Sequence, residues 1–392
     1  MILLDRPYAS NFLHTTIADN ALPVVMTEAA RGLGLAPGPH VLDENAALAL
    51  CREAHLRGDL KLYTNSENAL GWIADNLAFT GLPEKIRIFK DKARFRSLTK
   101  TLFPDFFYRE VAAADLAAVD PAGLPLPVIL KPNVGFFSLG VHKINTVSDW
   151  AVALESLDRD LGAQSELYPE QVLDTGSFLI EEYVAGDEFA LDAYFDSDGS
   201  PVVLNILKHI FSSEDDVSDR IYTTSKQIIE KNLDRFTNFL NEVGRLSGVK
   251  NFPVHVELRL SPEGTLVPIE INPLRFGGWC TTADLTMHAY GFNPYLYFLR
   301  GERPDWGGIL ADKAGVNFSI VVLDNSTGFE PERILDFDYS RLLEKFTKPL
   351  ELRKIDHRKF GVFGFLFVET GDEDSGELES ILHSDLREFI NI

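Results

Sequence analysis

Short apolar runs closed by glycine or proline alternate along this chain with stretches in which apolar residues return every three or four positions. Residues 1–90 show this most simply. "ILL" (residues 2–4) reads as a strand, "PVVMTEAARGLGL" as helical material closed by glycine, and "AALALCREAHLRG" as a helix ending near Gly58. "LKLYTNS" is a strand running into a loop, and "ALGWIADNLAF" is helical. This alternation predicts a small parallel α/β domain. It contains no GxGxxG, so it is not read as a dinucleotide site.

From Asp91 the pattern changes. "DKARFRSLTKTLF" predicts a helix with Asp91 as its N-cap. "LPVILKPNVGFFSLGVHKI" predicts a strand, a glycine-containing loop and a second strand. "SFLIEEYVAGDEFALDAYFDSDGSPVVLNILKHI" predicts a strand, a turn at Gly186 and a hairpin closed near "DSDGS". Ile229, Leu233, Phe236, Leu240 and Val243 fall at helical spacing, and Gly248 ends that helix. "PVHVELRLSPEGTLVPIEINP" is a hairpin turning at "SPEG". After "RGERPDWGG" the pattern starts anew, with strands at "VNFSIVVLD", "LELRKI" and "GVFGFLFVE" and a helix at "SGELESILHSDLREFI". Four units are expected: an N-terminal α/β domain (1–90), an α+β lobe (91–185), a second α+β lobe (186–308) and an appended α+β domain (309–392).

Composition narrows the function classes. A chain of 392 residues is too long for one core. Apolar residues at 45% and charged residues at 24% are ordinary for a soluble globular protein. The net charge of −22, from 37 Lys+Arg against 59 Asp+Glu, argues against nucleic acid or an anionic membrane as the main partner. It leaves room for a local cationic pocket. Cys51 and Cys280 make neither a metal spacing nor a disulfide framework, so a cytoplasmic location is expected. No signal peptide is expected from "MILLDRPYAS", and no apolar run reaches the roughly 18 residues of a membrane span.

The candidate chemistry centres on the "SPEG" hairpin. Glu257 lies on one strand, Glu270 and Asn272 on its neighbour, and the turn brings the two carboxylates close together. Such a pair repels unless a cation sits between, and two carboxylates with an amide oxygen suit Mg2+. The alternative is an exposed hairpin edge with polar residues alternating outward; the flanking "LVPIEI" run weighs against it. In "VILKPNVGFFSLGV", Lys131 ends an apolar strand, and Gly135, Ser138 and Gly140 free backbone N–H groups for phosphate oxygens. A plain turn is the alternative, and no Walker A pattern is present. In "LIEEYVAGDEF" a strand enters a glycine turn, and Glu188 could accept hydrogen bonds from ribose hydroxyls; the alternative is a solvated acidic turn. His255 and Arg259 share the face of Glu257, and Cys280 reads as a small buried residue.

In this order, "DK" at Asp91–Lys92, "LKPNVGFFSLGV", "IEEYVAGDEF", "HVELRL" and "IEINPLRFGG" resemble the ATP-grasp superfamily, of the carboxylate–amine ligase type. The resemblance spans roughly residues 60–305, plus the preceding α/β domain that the family usually carries. It implies ATP between two α+β lobes, with Lys92 and Lys131 on the phosphates and Gly135, Ser138 and Gly140 in the phosphate loop. Glu181 and the backbone of Glu182 and Val184 would hold the adenine, and Glu188 the ribose. Glu257, Glu270 and Asn272 would hold one or two Mg2+, with Mn2+ compatible. In the family's common form an arginine follows the asparagine–proline pair directly; here Leu274 intervenes and the arginine is Arg275, with Arg259 as a second candidate. Arg275, Arg259 and Lys131 are the implied catalytic set.

The implied activity is ATP-dependent, ADP-producing joining of a carboxylate to an amine through an acyl phosphate, on a small molecule such as an amino acid. An ATP-grasp carboxylase or a kinase-like transferase is the enzymatic alternative, and the lack of a biotinyl-acceptor segment counts against carboxylation. A non-catalytic ATP-binding regulator is the alternative from another class, and the retained lysines, acidic set and arginine count against it. The expected partners are small-molecule substrates, with no nucleic acid and no membrane; a homodimer is compatible. At the loop tip, Phe136 and Phe137 either anchor the loop by packing or close as a lid over the phosphates.

Overall fold

In a computed structural model, which describes residues 1–135, 140–162, 174–213, 219–372 and 375–392, the opening apolar run becomes β1 (Ile2–Leu3). It lies between β2 (Val24–Val25) and β4 (Tyr63–Thr64), and β3 (Val41–Leu42) completes a parallel sheet of order β3-β2-β1-β4. The segment expected to be wholly helical is therefore part strand. Val24 and Val25 are both fully buried β-branched residues, Val24 pairs with Ile2 on one side and Val41 on the other, and only Glu28–Gly32, capped by Thr27, is helical. The helix Glu44–Arg57 ends at Gly58 in the left-handed conformation, as expected.

The helix Lys92–Thr99 starts at Asp91, whose side chain accepts from the Arg94 amide. It leads into a four-stranded antiparallel sheet. Its strands are β5 (Tyr108–Ala112), β6 (Val128–Val134), β7 (His142–Ile144) and β8 (Asp174–Glu182), in the order β5-β8-β6-β7. Val128, Leu130, Trp150 and Ile180 belong to this lobe's own apolar cluster. At Gly186 the chain leaves the small sheet for the large one. Its φ is +129°, and an added Cβ would lie 2.2 Å from the Leu260 carbonyl oxygen, so only glycine fits.

The large sheet contains β9 (Asp187–Phe195), β10 (Pro201–Ile210), β11 (Ile221–Ser225), β12 (Phe252–Leu260), β13 (Leu266–Pro273) and β14 (Val316–Asp324). β15 (Asp336–Phe337) pairs with β18 (Ile390–Asn391) apart from it, while β16 (Pro349–Lys354) and β17 (Val362–Gly371) join it. The order is β13-β12-β9-β10-β11-β14-β17-β16. Residues 309–392 thus extend the sheet of the second lobe, and a separate apolar cluster that includes Leu323, Ile334, Phe363 and Phe389 lies within and around them. The last helix is shorter than expected. It ends at Leu382, and after a left-handed turn at Leu386 the chain returns to a strand. The helix Lys226–Ser247, capped by Ser225, buries Ile229, Phe236, Leu240 and Val243 against the sheet. Among the described residues no helix is long and apolar enough to cross a membrane.

Candidate active site

The β12–β13 hairpin sets the first pair of groups. Its register puts Glu257 directly opposite Glu270 and His255 opposite Asn272. The Asn272 side-chain amide donates to Glu270 at 2.8 Å, and the Lys92 ammonium, in the first turn of its helix, lies 3.4 Å from the other Glu270 oxygen. Burial alone would raise the Glu270 pKa, but Lys92, Lys90 and the amide of Asn272 outweigh it and hold the carboxyl at about 2. Glu257 goes the other way. Burial, reinforced by Glu270, Glu188 and Asp219, pushes its carboxyl well above the usual range. A divalent cation between Glu257 and Glu270 would relieve that repulsion, and two carboxylates with an amide oxygen are the hard donors Mg2+ takes. The donor set fits the ion on those grounds. Among the described residues no group of three or more His, Cys, Asp or Glu side chains is placed to hold a metal, so the set consists of this pair and Asn272.

Behind the hairpin, Asp192 is fully buried. It accepts from His255 Nδ1 at 2.8 Å, from the Gly277 amide at 3.0 Å and from the Thr282 hydroxyl. His255 Nε2 lies 3.7 Å from Glu257. His255 therefore braces the hairpin face from below, and Gly277 ties the segment after Arg275 to the same carboxylate.

Lys131, on β6, is buried with its ammonium 2.5 Å from Glu181 on β8. The other Glu181 oxygen accepts from Arg96 Nε at 2.8 Å. Burial would raise the Glu181 pKa; Arg96 and Lys131 overcome this and bring it to about 2. The Glu181 side chain is thus committed to holding two cations. Its folded pKa lies below the unfolded value near 4.5, so its stabilisation is fully present above that value and is lost as pH falls from about 4.5 towards about 2. Glu181→Gln should lower stability at neutral pH by about 3–5 kcal/mol, because two buried cations lose their counter-charge. The gap in Tm from wild type should narrow through that acid window. A constant gap would separate the effect from this carboxylate's ionisation.

On the turn that follows, Glu182 donates its N–H to the Phe107 carbonyl, and the Val184 carbonyl accepts from Arg259 at 3.1 Å. Arg259 also holds Glu188, at 3.0 and 2.9 Å, and Glu188 lies 3.2 Å from His209 Nδ1. Arg259 is thereby engaged on the 182–188 turn, away from the Glu257–Glu270 pair. Gly135 and Gly140 bracket the loop after β6; Ser138, Phe136 and Phe137 lie outside the described residues.

Leu274, the residue between the asparagine–proline pair and the arginine, is fully buried with φ +61°. Its carbonyl accepts from the Thr64 amide at 2.7 Å and the Thr64 hydroxyl at 3.3 Å. The kink delivers Arg275 into the charged cluster, where its Nε and Nη2 bind one oxygen of Glu67 at 3.0 and 2.6 Å. The other Glu67 oxygen takes the Lys90 ammonium at 2.5 Å, and Lys90 also donates to the Gly135 carbonyl at 3.3 Å.

Lys92, Lys131, Glu257, Glu270, Asn272 and Arg275 therefore share one site between the small sheet and the large one, whereas Glu188 and Arg259 pair beside it. Sequence reasoning missed Glu67, Lys90, Arg96, Asp192 and His209. Each acts through a partner far away in sequence, and no local period marks such a residue; a polar residue in an otherwise apolar strand, as at Asp192 and His209, was the only available signal.

The pattern of the ATP-grasp domain matches residues 124–283. A search of curated proteins by sequence gives no match. Among solved structures, an L-amino acid ligase from Bacillus licheniformis superposes with a TM-score of 0.71 at 16% identity, covering 100% of this chain and 97% of that one. N5-carboxyaminoimidazole synthase from Aspergillus clavatus, solved with ADP and 5-aminoimidazole ribonucleotide, gives 0.63 at 11%, covering 99% and 98%. Biotin carboxylase from Campylobacter jejuni gives 0.62 at 12%, covering 94% and 87%. At such identities the likeness speaks for the fold.

Proposed function

With a chain that has the ATP-grasp fold and carries the ATP-grasp domain at residues 124–283 as premise, we propose that it is an ATP-dependent ligase joining a small-molecule carboxylate to an amine. The observation that carries this reading is the convergence of Lys92, Lys131 and Arg275 on the Glu257–Glu270–Asn272 face. Cations and carboxylates in one buried site suit a substrate with several negative charges brought in with a metal ion. Magnesium bound there would supply charge neutralisation to the transferred phosphoryl group. Glu257, Glu270 and Asn272 would hold it. Lys92 and Lys131 would bind phosphate oxygens, and the 182–188 turn would take the adenosine.

A carboxylate oxygen attacks the γ-phosphorus, the bond to ADP breaks, and an acyl phosphate forms. The amine nitrogen then attacks the acyl carbon, inorganic phosphate leaves and the nitrogen loses a proton, so ATP, carboxylate and amine become ADP, phosphate and amide. Arg275 would hold the developing negative charge. The site must keep water from the acyl phosphate between these steps.

One second reading takes bicarbonate as the carboxylate, the anion with which the biotin carboxylase domain of Hydrogenobacter thermophilus 2-oxoglutarate carboxylase was solved. The test is ADP release with magnesium–ATP and pooled amino acids, with single carboxylates and amines, and with bicarbonate. ADP that appears only when a carboxylate and an amine are both present supports the ligase. ADP with bicarbonate alone supports the second reading. Nucleotide binding without turnover in any pool would leave a regulator.

A further inference from the structure

We propose that Glu67, on the N-terminal domain, is a positioning residue for the nucleotide site, holding Arg275 directly and the start of the phosphate loop through Lys90. The groups form one chain of contacts. Glu67 is buried, with one oxygen on Arg275 at 2.6 Å and the other on Lys90 at 2.5 Å, and Lys90 reaches the Gly135 carbonyl at 3.3 Å. Gly135 is the last described residue before the loop, and Arg275 immediately follows the kink at Leu274. One carboxylate therefore links both sides of the site to a domain that supplies none of the groups assigned to the nucleotide.

Ordinary domain adhesion does not account for this arrangement. The same stretch of the N-terminal domain already holds that segment without charge, through Thr64 on the Leu274 carbonyl. Glu67 adds a counter-charge for two buried cations. Without it, both cations lie in the field of the metal-holding face: Lys90 and Arg275 both act on Glu270, and Arg275 acts on Glu257 as well. Freed cations would compete with a divalent ion for those carboxylates, so Glu67 also keeps the face negative enough to take one.

This inference rests on the nucleotide site proposed above and not on the reaction. The experiment is the Kd of magnesium–AMPPNP by calorimetry at several Mg2+ concentrations, with Tm measured in parallel on the full chain. Glu67→Gln should weaken binding about 10- to 100-fold and raise the Mg2+ concentration needed for half-saturation. The conservative Glu67→Asp keeps the charge but cannot span both cations, and it should fall between wild type and Glu67→Gln. In a Lys90→Met/Arg275→Met background Glu67→Gln should cause no further loss. Thr64→Val, which removes the hydroxyl bond of the neighbouring uncharged contact and keeps its amide bond, should lower Tm slightly and leave Kd unchanged. Wild-type binding in Glu67→Asp would overturn the proposal even if Glu67→Gln failed to fold. So would an equal loss in the Lys90→Met/Arg275→Met background, or a Thr64→Val effect on Kd as large as that of Glu67→Gln. A wild-type protein that does not bind magnesium–AMPPNP would instead overturn the reading of the site itself.

Discussion

Replacing Glu270 with alanine should give a folded protein whose ATP turnover at limiting Mg2+ falls by about 10²–10³-fold, the scale of removing a group aimed at developing charge. Glu270 is the hub of the hairpin face. It accepts from Asn272, faces Glu257 across the strands and sits 3.4 Å from the Lys92 ammonium. Two losses follow from one substitution. The site keeps a single carboxylate with Asn272, too few donors to hold a hydrated divalent ion firmly. Lys92 also loses its counter-charge, while Asn272 loses its acceptor and is free to rotate. The fold should survive because Val256, Leu258 and Ile271 on the same hairpin stay buried whatever occupies position 270. Glu270→Gln keeps the volume and should behave alike, since the charge does the binding. Raised Mg2+ should restore part of the turnover. Normal turnover at limiting Mg2+, with circular dichroism unchanged, would remove the hairpin from the metal site.

The hairpin was legible because strand period and turn chemistry are local. Alternation puts Glu257, Glu270 and Asn272 on chosen faces, and "SPEG" fixes which residues oppose, so the Glu257–Glu270 pair was recoverable from spacing. The partners of the charges were not. Arg275 finds Glu67 at a separation of 208 residues, and nothing near either residue records it. The resemblance implies Glu181 on the adenine, and the glycine turn at Gly186 points to Glu188 as an acceptor for ribose hydroxyls. Inside the structure their side chains also answer a nonlocal demand: the buried cations Lys131 and Arg96 pair with Glu181, and the half-buried Arg259 pairs with Glu188. Leu274 was visible only as an insertion. Its left-handed backbone and the Thr64 cap are what turn that insertion into a route for Arg275. Membership of a sheet is nonlocal too. β14, β16 and β17 each read correctly as strands, but the pairing of β14 onto β11, which brings β17 and β16 into the large sheet, had no signature in the pattern. Val24–Val25 failed for the opposite reason: two residues are too short to show a period.

Lys131→Met should weaken ATP use by about 10²-fold in kcat/KM, and Lys131→Arg should fall well short of restoring it. The argument lies in the slot that holds the side chain. The ammonium is buried 2.5 Å from one Glu181 oxygen, and Arg96 already occupies the other at 2.8 Å. A lysine there is a point charge with donors left over for a phosphate oxygen. A guanidinium is planar and longer, and its fork would compete with Arg96 for the same carboxylate while pointing its spare N–H groups elsewhere. Methionine fills the slot without charge. Glu181 then keeps Arg96 as its counter-ion, so Lys131→Met should cost less stability than Glu181→Gln, in which two cations are stranded. This contrast distinguishes a role with nucleotide from a role in packing. Lys131→Met should show a larger defect in the ATP titration and a smaller fall in Tm, and Glu181→Gln the reverse balance. If Lys131→Met left the ATP titration unchanged, the lysine would be no more than the counter-ion of Glu181 and would leave the nucleotide site.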